Sequence, residues 1–484
     1  MESNRRPSAS SVLSVVPSFL GWKPQEAWCA HVIRSEEPVK GTEVPSNAAM
    51  GVGRQKWPGA RVATRCRDGH RALDDGKYIW RVLRSLSLSL LLLGCSAPEV
   101  DLPSVSTADS AGVTTVRVHR LDDLDLPTWE ANLVFSTASS DSLLLGQFAV
   151  ALFLPDGSLL VGSGVDLFQL DTDGTLLRRI GRAGDGPGEF RGIGRLLITE
   201  DSLIAVSEAW SGPGRMTVMR PDGSMARYIA RLGGAVSPAA REPVALLGRG
   251  VILSTYGQFM PNRGEVPGIP SGELERDPMP LFVHDSTGMI RDTLGSWLGL
   301  ERARLLMEGH TVRITVPFAR SVVHDGRGGV AVIGPTDSLD LSVYDAGRLT
   351  LRITGSAPHR PVTPEHLEEW RGVMQTWNGS DGLIFLDLMR NAPRVPELPA
   401  VGAVVVDDQR NLWVGGYASA GDTIRTWTVF SREGVPLARL DLSAVTDPVF
   451  HGPHELLDVQ GDRLAVLRPG EDGEAIIEVW QLRR

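Results

Sequence analysis

The chain has 484 residues, a formal net charge of −9, 42% hydrophobic residues and 22% charged residues. That balance excludes an intrinsically disordered chain, and the length suits two or three ordinary domains or one large repetitive one. Charge is unevenly placed: residues 1–94 carry 14 basic and 8 acidic side chains, including all four lysines, and the remaining 390 residues hold 35 basic against 50 acidic. An acidic body of that kind repels nucleic acid and anionic lipid, so no nucleic-acid partner is expected.

Residues 1–79 mix Trp, Arg, Pro and Gly without helical or strand periodicity, and two of the three cysteines, Cys29 and Cys66, lie there. They are expected to be a disordered or non-native extension ahead of a displaced N-terminal signal. That signal is residues 80–95: Arg81 and Arg84 flank an apolar run, Leu86 to Leu93, which closes on Gly94-Cys95. The run is too short to span a bilayer, which needs about 20 residues, and has the shape of a secretory segment. Residues 96–112, SAPEVDLPSVSTADSAG, are small, polar and proline-bearing, as a flexible tether would be.

From Val113 one phrase recurs: two apolar runs around a Gly/Asp/Asn turn, a loop, a third run, then a turn with Asp and Gly. Its first half appears as ALFLPDGSLLVG (151–162), LLITEDSLIAVS (196–207), ALLGRGVILS (245–254), SVVHDGRGGVAVIG (321–334), VVVDDQRNLWVGG (404–416) and LLDVQGDRLAVLRP (456–469). Its second half follows as, for example, LFQLDTDGTLLRRIG (167–181) and WTVFSREGVPLARLD (427–441). Six copies of four strands each, over residues 113–484, predict an all-β, six-bladed β-propeller, because packing in a closed ring buries both faces of every sheet and removes open edges. The sixth copy ends one strand short, and Val113–His119 is expected to supply the missing outer strand. One interruption is helical: in TPEHLEEWRGVMQTW (363–377), Thr363 is placed to cap, Pro364 starts the helix, and Leu367, Trp370, Met374 and Trp377 share a face.

Between the first and second copies lies GRAGDGPGEF, Gly181 to Phe190. It lacks a Gly-Lys-Ser/Thr ending and a following helix, and its two carboxylates would repel phosphate, so it is a connection from the rim back to the axis. This segment, followed by a hairpin and Pro221-Asp-Gly-Ser224, resembles the NHL-type repeat; the order of copies is similar to the bacterial six-bladed β-propeller lipoproteins of that superfamily. Leu92-Leu93-Gly94-Cys95 likewise resembles a lipobox, which implies lipidation at Cys95, export, and a cell-envelope location at the outer membrane or facing the periplasm. The superfamily implies the fold; its members include binding modules, lactonases, lyases and scaffolds, so function must come from the site.

No Gly-x-Ser-x-Gly elbow or His-Glu-x-x-His is present. The paired acids Asp122-Asp123 and Asp407-Asp408 read as solvated acids beside strand ends or in turns, and His284 and His324 as structural. The densest ligating group is His451, His454 and Glu455 ahead of the sixth copy, a weak metal candidate. Loops on the face where the chain enters the innermost strands carry Arg191, Arg195, Trp210, Tyr256, Arg320, Tyr417 and His454, a rim suited to a small molecule, a carbohydrate or a protein or peptide ligand. The expected function is therefore a lipid-anchored binding module without catalysis of its own and with no cofactor. The alternative is a lactonase-like hydrolase or lyase using a divalent metal at the propeller axis.

Overall fold

The computed structural model describes residues 104–139, 143–146, 148–208, 214–233, 241–256, 272–307, 310–356, 360–376, 386, 390, 392–419, 421–443, 456–470 and 474–484. Within them the strand pairings form a β-propeller of six four-stranded antiparallel units. Numbered by their innermost strands, blade 1 starts at Ala149–Phe153, blade 2 at Ile193–Ile198, blade 3 at Arg241–Leu246, blade 4 at Val322–Arg327, blade 5 at Val401–Val406 and blade 6 at Leu456–Gln460. Each of these strands touches the next, and the sixth touches the first.

The core is a set of seams rather than one centre. Phe153, Val161 and Phe168 of blade 1 pack on Ile477 and Val479 of blade 6. On the other face of blade 1, Leu152, Leu160 and Leu167 meet Phe190, Ile198 and Val206 of blade 2. The remaining four seams repeat the arrangement between blades 2 and 3, 3 and 4, 4 and 5, and 5 and 6. This is why the strands read as near-continuous apolar runs: alternate residues face different neighbours, and both faces are dry. Each fully buried Leu, Val or Phe contributes about 1.5–3 kcal/mol of burial to its seam.

Ring closure departs from expectation in one detail. An N-terminal strand does complete blade 6, but it is Thr128–Ser136, not Val113–His119. Residues Glu130 to Ser136 pair antiparallel with Ala475–Arg483, while Thr128 and Trp129 pair in parallel with Arg439 and Leu440 of blade 5. Val113–Arg120 instead adds in parallel to Arg348–Ser356 at the outer edge of blade 4, and Val105–Ser110, inside the stretch read as tether, adds outside it. Both N-terminal strands are short and β-prone; Val116 and Val118 find an apolar seat against Leu351 and Ile353, which decides the difference.

The helix forms over Pro364–Thr376, with His366 N–H donating to Thr363 Oγ1 at 3.3 Å. Trp370 and Met374 are buried against Phe318, Leu398 and Tyr417, so the helix covers part of the face where the chain enters the innermost strands, the upper face. An arm of blade 3 rises on the same face: Leu274–His284 and Ile290–Met307 pair with each other past their blade, and Ile290–Met307 pairs in turn with His310–Thr315. GRAGDGPGEF is the expected connection, and it folds into a small strap: Arg182–Ala183 pairs with Glu189–Phe190, Glu189 Oε2 accepts from Gly186 N–H at 2.8 Å, and Phe190 is fully buried between blades 1 and 2.

Candidate functional site

Polar side chains cross the axis in three tiers. In the upper tier, Arg195 of blade 2 reaches blade 4. Its Nη2 donates to Asp325 Oδ1 at 2.6 Å, its Nη1 donates to His324 Nδ1 at 3.0 Å, and it forms an ion pair with Glu242 Oε1 of blade 3 at 3.4 Å. Asp325 also accepts from the Val406 N–H of blade 5 at 2.7 Å. Below it, Arg327 of blade 4 donates to Asp458 of blade 6 and, at 3.1 Å, to the Phe153 carbonyl of blade 1; Asp458 Oδ2 accepts from Phe153 N–H at 2.7 Å. At the lower face, Arg410 of blade 5 pairs with Glu200 of blade 2 and, at 3.2 Å, with Asp345 of blade 4. Every innermost strand therefore contributes to a stack of guanidiniums, each held by carboxylates from other blades.

Burial sets the protonation chemistry. Asp458 is fully enclosed, and desolvation pushes its carboxyl up to about 6 against the opposing pull of Arg327 and the Phe153 amide. Burial, reinforced by Arg195, holds His324 below the usual imidazole value, although Glu242 opposes it. A guanidinium only donates, so Nδ1 of His324 must be the acceptor toward Arg195, and the neutral ring carries its proton on Nε2. Nε2 lies 3.9 Å from Glu242 Oε2, and the Glu242 side chain is 37% exposed against 6% for His324. The upper tier is thus a recessed mouth with a fixed donor beside an open acceptor.

Of the residues expected at a rim that are among the described residues, Arg195 is the one that the structure brings to this mouth. Arg191 is ion-paired to Asp185 on the strap, and Arg320 donates through Nε to Glu301 at 3.0 Å. Tyr256 packs edge-on to Phe282 at 5.2 Å beneath Arg241. Tyr417 lies under the helix, where burial pushes its hydroxyl well above the ordinary tyrosine range. Trp210, His451, His454, Glu455 and Cys95 lie outside the described residues. Among the described residues, no group of three or more His, Cys, Asp or Glu side chains is placed to hold a metal ion.

Two readings change. Asp407 is not a solvated turn acid: it is 2% exposed, and it accepts from Gln409 N–H, Asn411 N–H and Trp413 Nε1–H at 2.9, 2.7 and 3.1 Å. His284 is structural, buried between Ser254 Oγ at 2.6 Å and the Gly288 carbonyl at 2.9 Å, but His324 stands at the mouth. Sequence reasoning also passed over Glu242, Asp325, Arg327 and Asp458. The available signal was a charged residue inside an otherwise apolar innermost run. In SVVHDGRGGVAVIG it was masked because Asp325-Gly326 looks like the hairpin turn. The chain instead turns at Gly328-Gly329, with φ of +54° and +82°. Gly326 lies within the strand, where blade 3 passes so closely that a Cβ would come within 2.5 Å of the Val244 carbonyl oxygen, so the position needs glycine for close approach rather than for a turn.

No protein-family model matches the chain, and no curated protein is significantly similar to it. Similar solved structures include a Bacteroides fragilis protein taken to be exported, 12% identical, which covers 76% of this chain and 99% of its own at a TM-score of 0.40. A member of the DUF4221 family from Bacteroides vulgatus is 8% identical, with coverage of 74% and 99% and a TM-score of 0.39. The calcium-binding protein regucalcin from Agrobacterium tumefaciens is 12% identical, with coverage of 73% and 95% and a TM-score of 0.32.

Proposed function

We propose that this chain is a six-bladed, NHL-type propeller tethered at the cell envelope, and that it binds a ligand at the upper mouth of its axis without catalysing a reaction. The observation that carries the binding role is the Arg195–Asp325–His324–Glu242 constellation. Three blades supply it, a guanidinium at its centre fixes its orientation, and it keeps a half-open carboxylate beside a buried imidazole. Convergent polar groups of this kind, drawn from several elements, are what fix the orientation of a bound small ligand. Below the mouth, the Arg327–Asp458 and Arg410–Glu200 ion pairs link further blades across the axis. The NHL-type assignment is supported by the buried Phe190 strap and by the Asx turns, in which Asp156 accepts from Ser158 N–H at 2.9 Å and Asp222 from Ser224 N–H at 2.8 Å.

The envelope location rests on the Arg81–Cys95 segment. Among the described residues no helix is long and apolar enough to cross a membrane. Metabolic labelling with a fatty acid, followed by membrane fractionation, tests the anchor: the full chain is expected to carry label and sediment with membranes, and Cys95→Ala to do neither. A thermal-shift screen of small molecules, oligosaccharides and peptides tests the binding role. A ligand at 100 times its Kd stabilises by about 2.7 kcal/mol. Shifts seen with the wild type and abolished in Arg195→Met are expected; a ligand whose shift survives that substitution binds elsewhere and overturns the assignment to the mouth.

A further inference from the structure

The donor and acceptor at the mouth restrict what chemical group can sit there. Three charged side chains meet: Arg195 is positive, Glu242 and Asp325 are negative, and neutral His324 adds nothing, so the local charge is −1. An anionic ligand group is opposed by that balance and by the Glu242 carboxylate. An ammonium would satisfy Glu242 but meet the Nε2–H of His324 donor to donor. A trans peptide amide points its N–H and C=O in opposite directions and cannot serve two groups on one side.

A hydroxyl accepts and donates through one atom. The gap from His324 Nε2 to Glu242 Oε2 is 3.9 Å. An oxygen about 2.8 Å from each, a normal hydrogen-bond length, subtends an angle of about 90° between them, within reach of its lone pair and its proton. We infer that the mouth recognises a neutral polyhydroxylated ligand, a carbohydrate, through one hydroxyl seated between His324 and Glu242. The inference rests on the mouth being the ligand site. Arg195 acts as the positioning residue: its contacts to Nδ1 and to Oε1 hold donor and acceptor apart, so neither group closes on the other.

The test uses the full chain and two variants that keep the Arg195 contacts. His324→Asn retains an acceptor in place of Nδ1 and removes the Nε2–H donor. Glu242→Gln retains Oε1 and reverses the polarity at Oε2. The probes are chitotetraose, cellotetraose and maltotetraose, with chitosan tetramer as the cationic arm, tetragalacturonate as the anionic arm and a glutamine dipeptide as the carboxamide arm. Binding is read by titration calorimetry, and the folding of each variant by circular dichroism and its melting temperature. The expected result is binding of at least one neutral tetramer, weakened tenfold or more by each variant while both melt within a few degrees of wild type. Binding of only the charged tetramers or the dipeptide, or of neutral tetramers with equal affinity in both variants, overturns the hydroxyl assignment and leaves the binding role standing. If none of the probes binds and the broader screen shows no Arg195-dependent ligand, both the inference and the function on which it rests fall. A variant that loses its fold is replaced by Glu242→Asp, which withdraws the acceptor by one methylene and is expected to weaken binding with the fold intact.

Discussion

Arg327 and Asp458 carry the axial structure at the residue scale. Both are almost fully buried, and each satisfies a group that would otherwise be an uncompensated interior charge. Arg327→Met is expected to destabilise the chain by about 3–5 kcal/mol, because it leaves the Asp458 carboxylate without its partner. Adding Asp458→Asn, which can still accept from Phe153 N–H, is expected to recover part of that loss in a urea-unfolding double-mutant cycle. Acid makes a second test. The folded pKa of Asp458 is raised, to about 6 from 3.8, so the folded state holds this proton more tightly than the unfolded state does. Its contribution favours folding below pH 3.8 and is lost as pH rises from about 4 to 6. His324 has the opposite sense: its folded pKa lies below 6.5, so its contribution is present above pH 6.5 and is lost as pH falls through its folded value. Relative to wild type, Asp458→Asn should lose stability on acidification from pH 6 to 4. His324→Asn should gain stability as pH drops below 6.5, as measured by chemical denaturation across that range.

Close packing of innermost strands governs the element scale. The hairpin of blade 4 turns three residues later than its Asp-Gly pair invites, and this delay keeps Asp325 and Arg327 on a strand, where they reach blades 2, 5, 6 and 1. Gly326→Ala adds a methyl group facing backbone atoms of blade 3 that cannot swing away, and a cost of about 1–3 kcal/mol is expected on overpacking grounds. Gly328→Ala is strained as well, through its positive φ, but has open space around it, so it should cost less. Thermal melts of the two variants side by side separate close approach from backbone strain. The helix illustrates an element legible from local sequence: its cap, first-turn proline and the Leu367, Trp370 and Met374 stripe are local, and it forms over Pro364–Thr376, while Trp377, read onto the same face, lies outside the described residues. Its partners Phe318, Leu398 and Tyr417 are distant in sequence, and that is why Tyr417 read as a rim residue.

Closure of the ring belongs to the whole molecule. Thr128–Ser136 is hydrogen-bonded to both blades 5 and 6, and it brings Trp129 to 5.8 Å from Trp413 and under Arg484, at 4.9 Å. A chain beginning at Ser104 keeps this strand and is expected to melt as the full chain does. A chain beginning at Thr137 leaves Ala475–Arg483 as an open edge and is expected to lose most of its cooperative transition and to aggregate, as light scattering during the melt would report. Retention of a sharp, reversible transition by the shorter chain would show that the seams alone close the ring. The axial stack works at the same scale, since its contacts join blades on opposite sides of the ring and resist its opening.

Apolar runs of alternating destination, Asx turns and six similar phrases are written locally along the chain, so the sequence by itself determined the propeller, its helix and its strap. The choice between two β-prone N-terminal strands was not local, because it depended on which outer edge offered Val116 and Val118 a dry seat. The mouth was least legible. Arg195 and His324 are 129 residues apart, Arg327 and Asp458 131, and Phe153 and Asp458 305. A charge within an apolar run signals that something must compensate it, but only the tertiary structure brings the compensating blade across the axis and decides which donor and acceptor remain to meet a ligand.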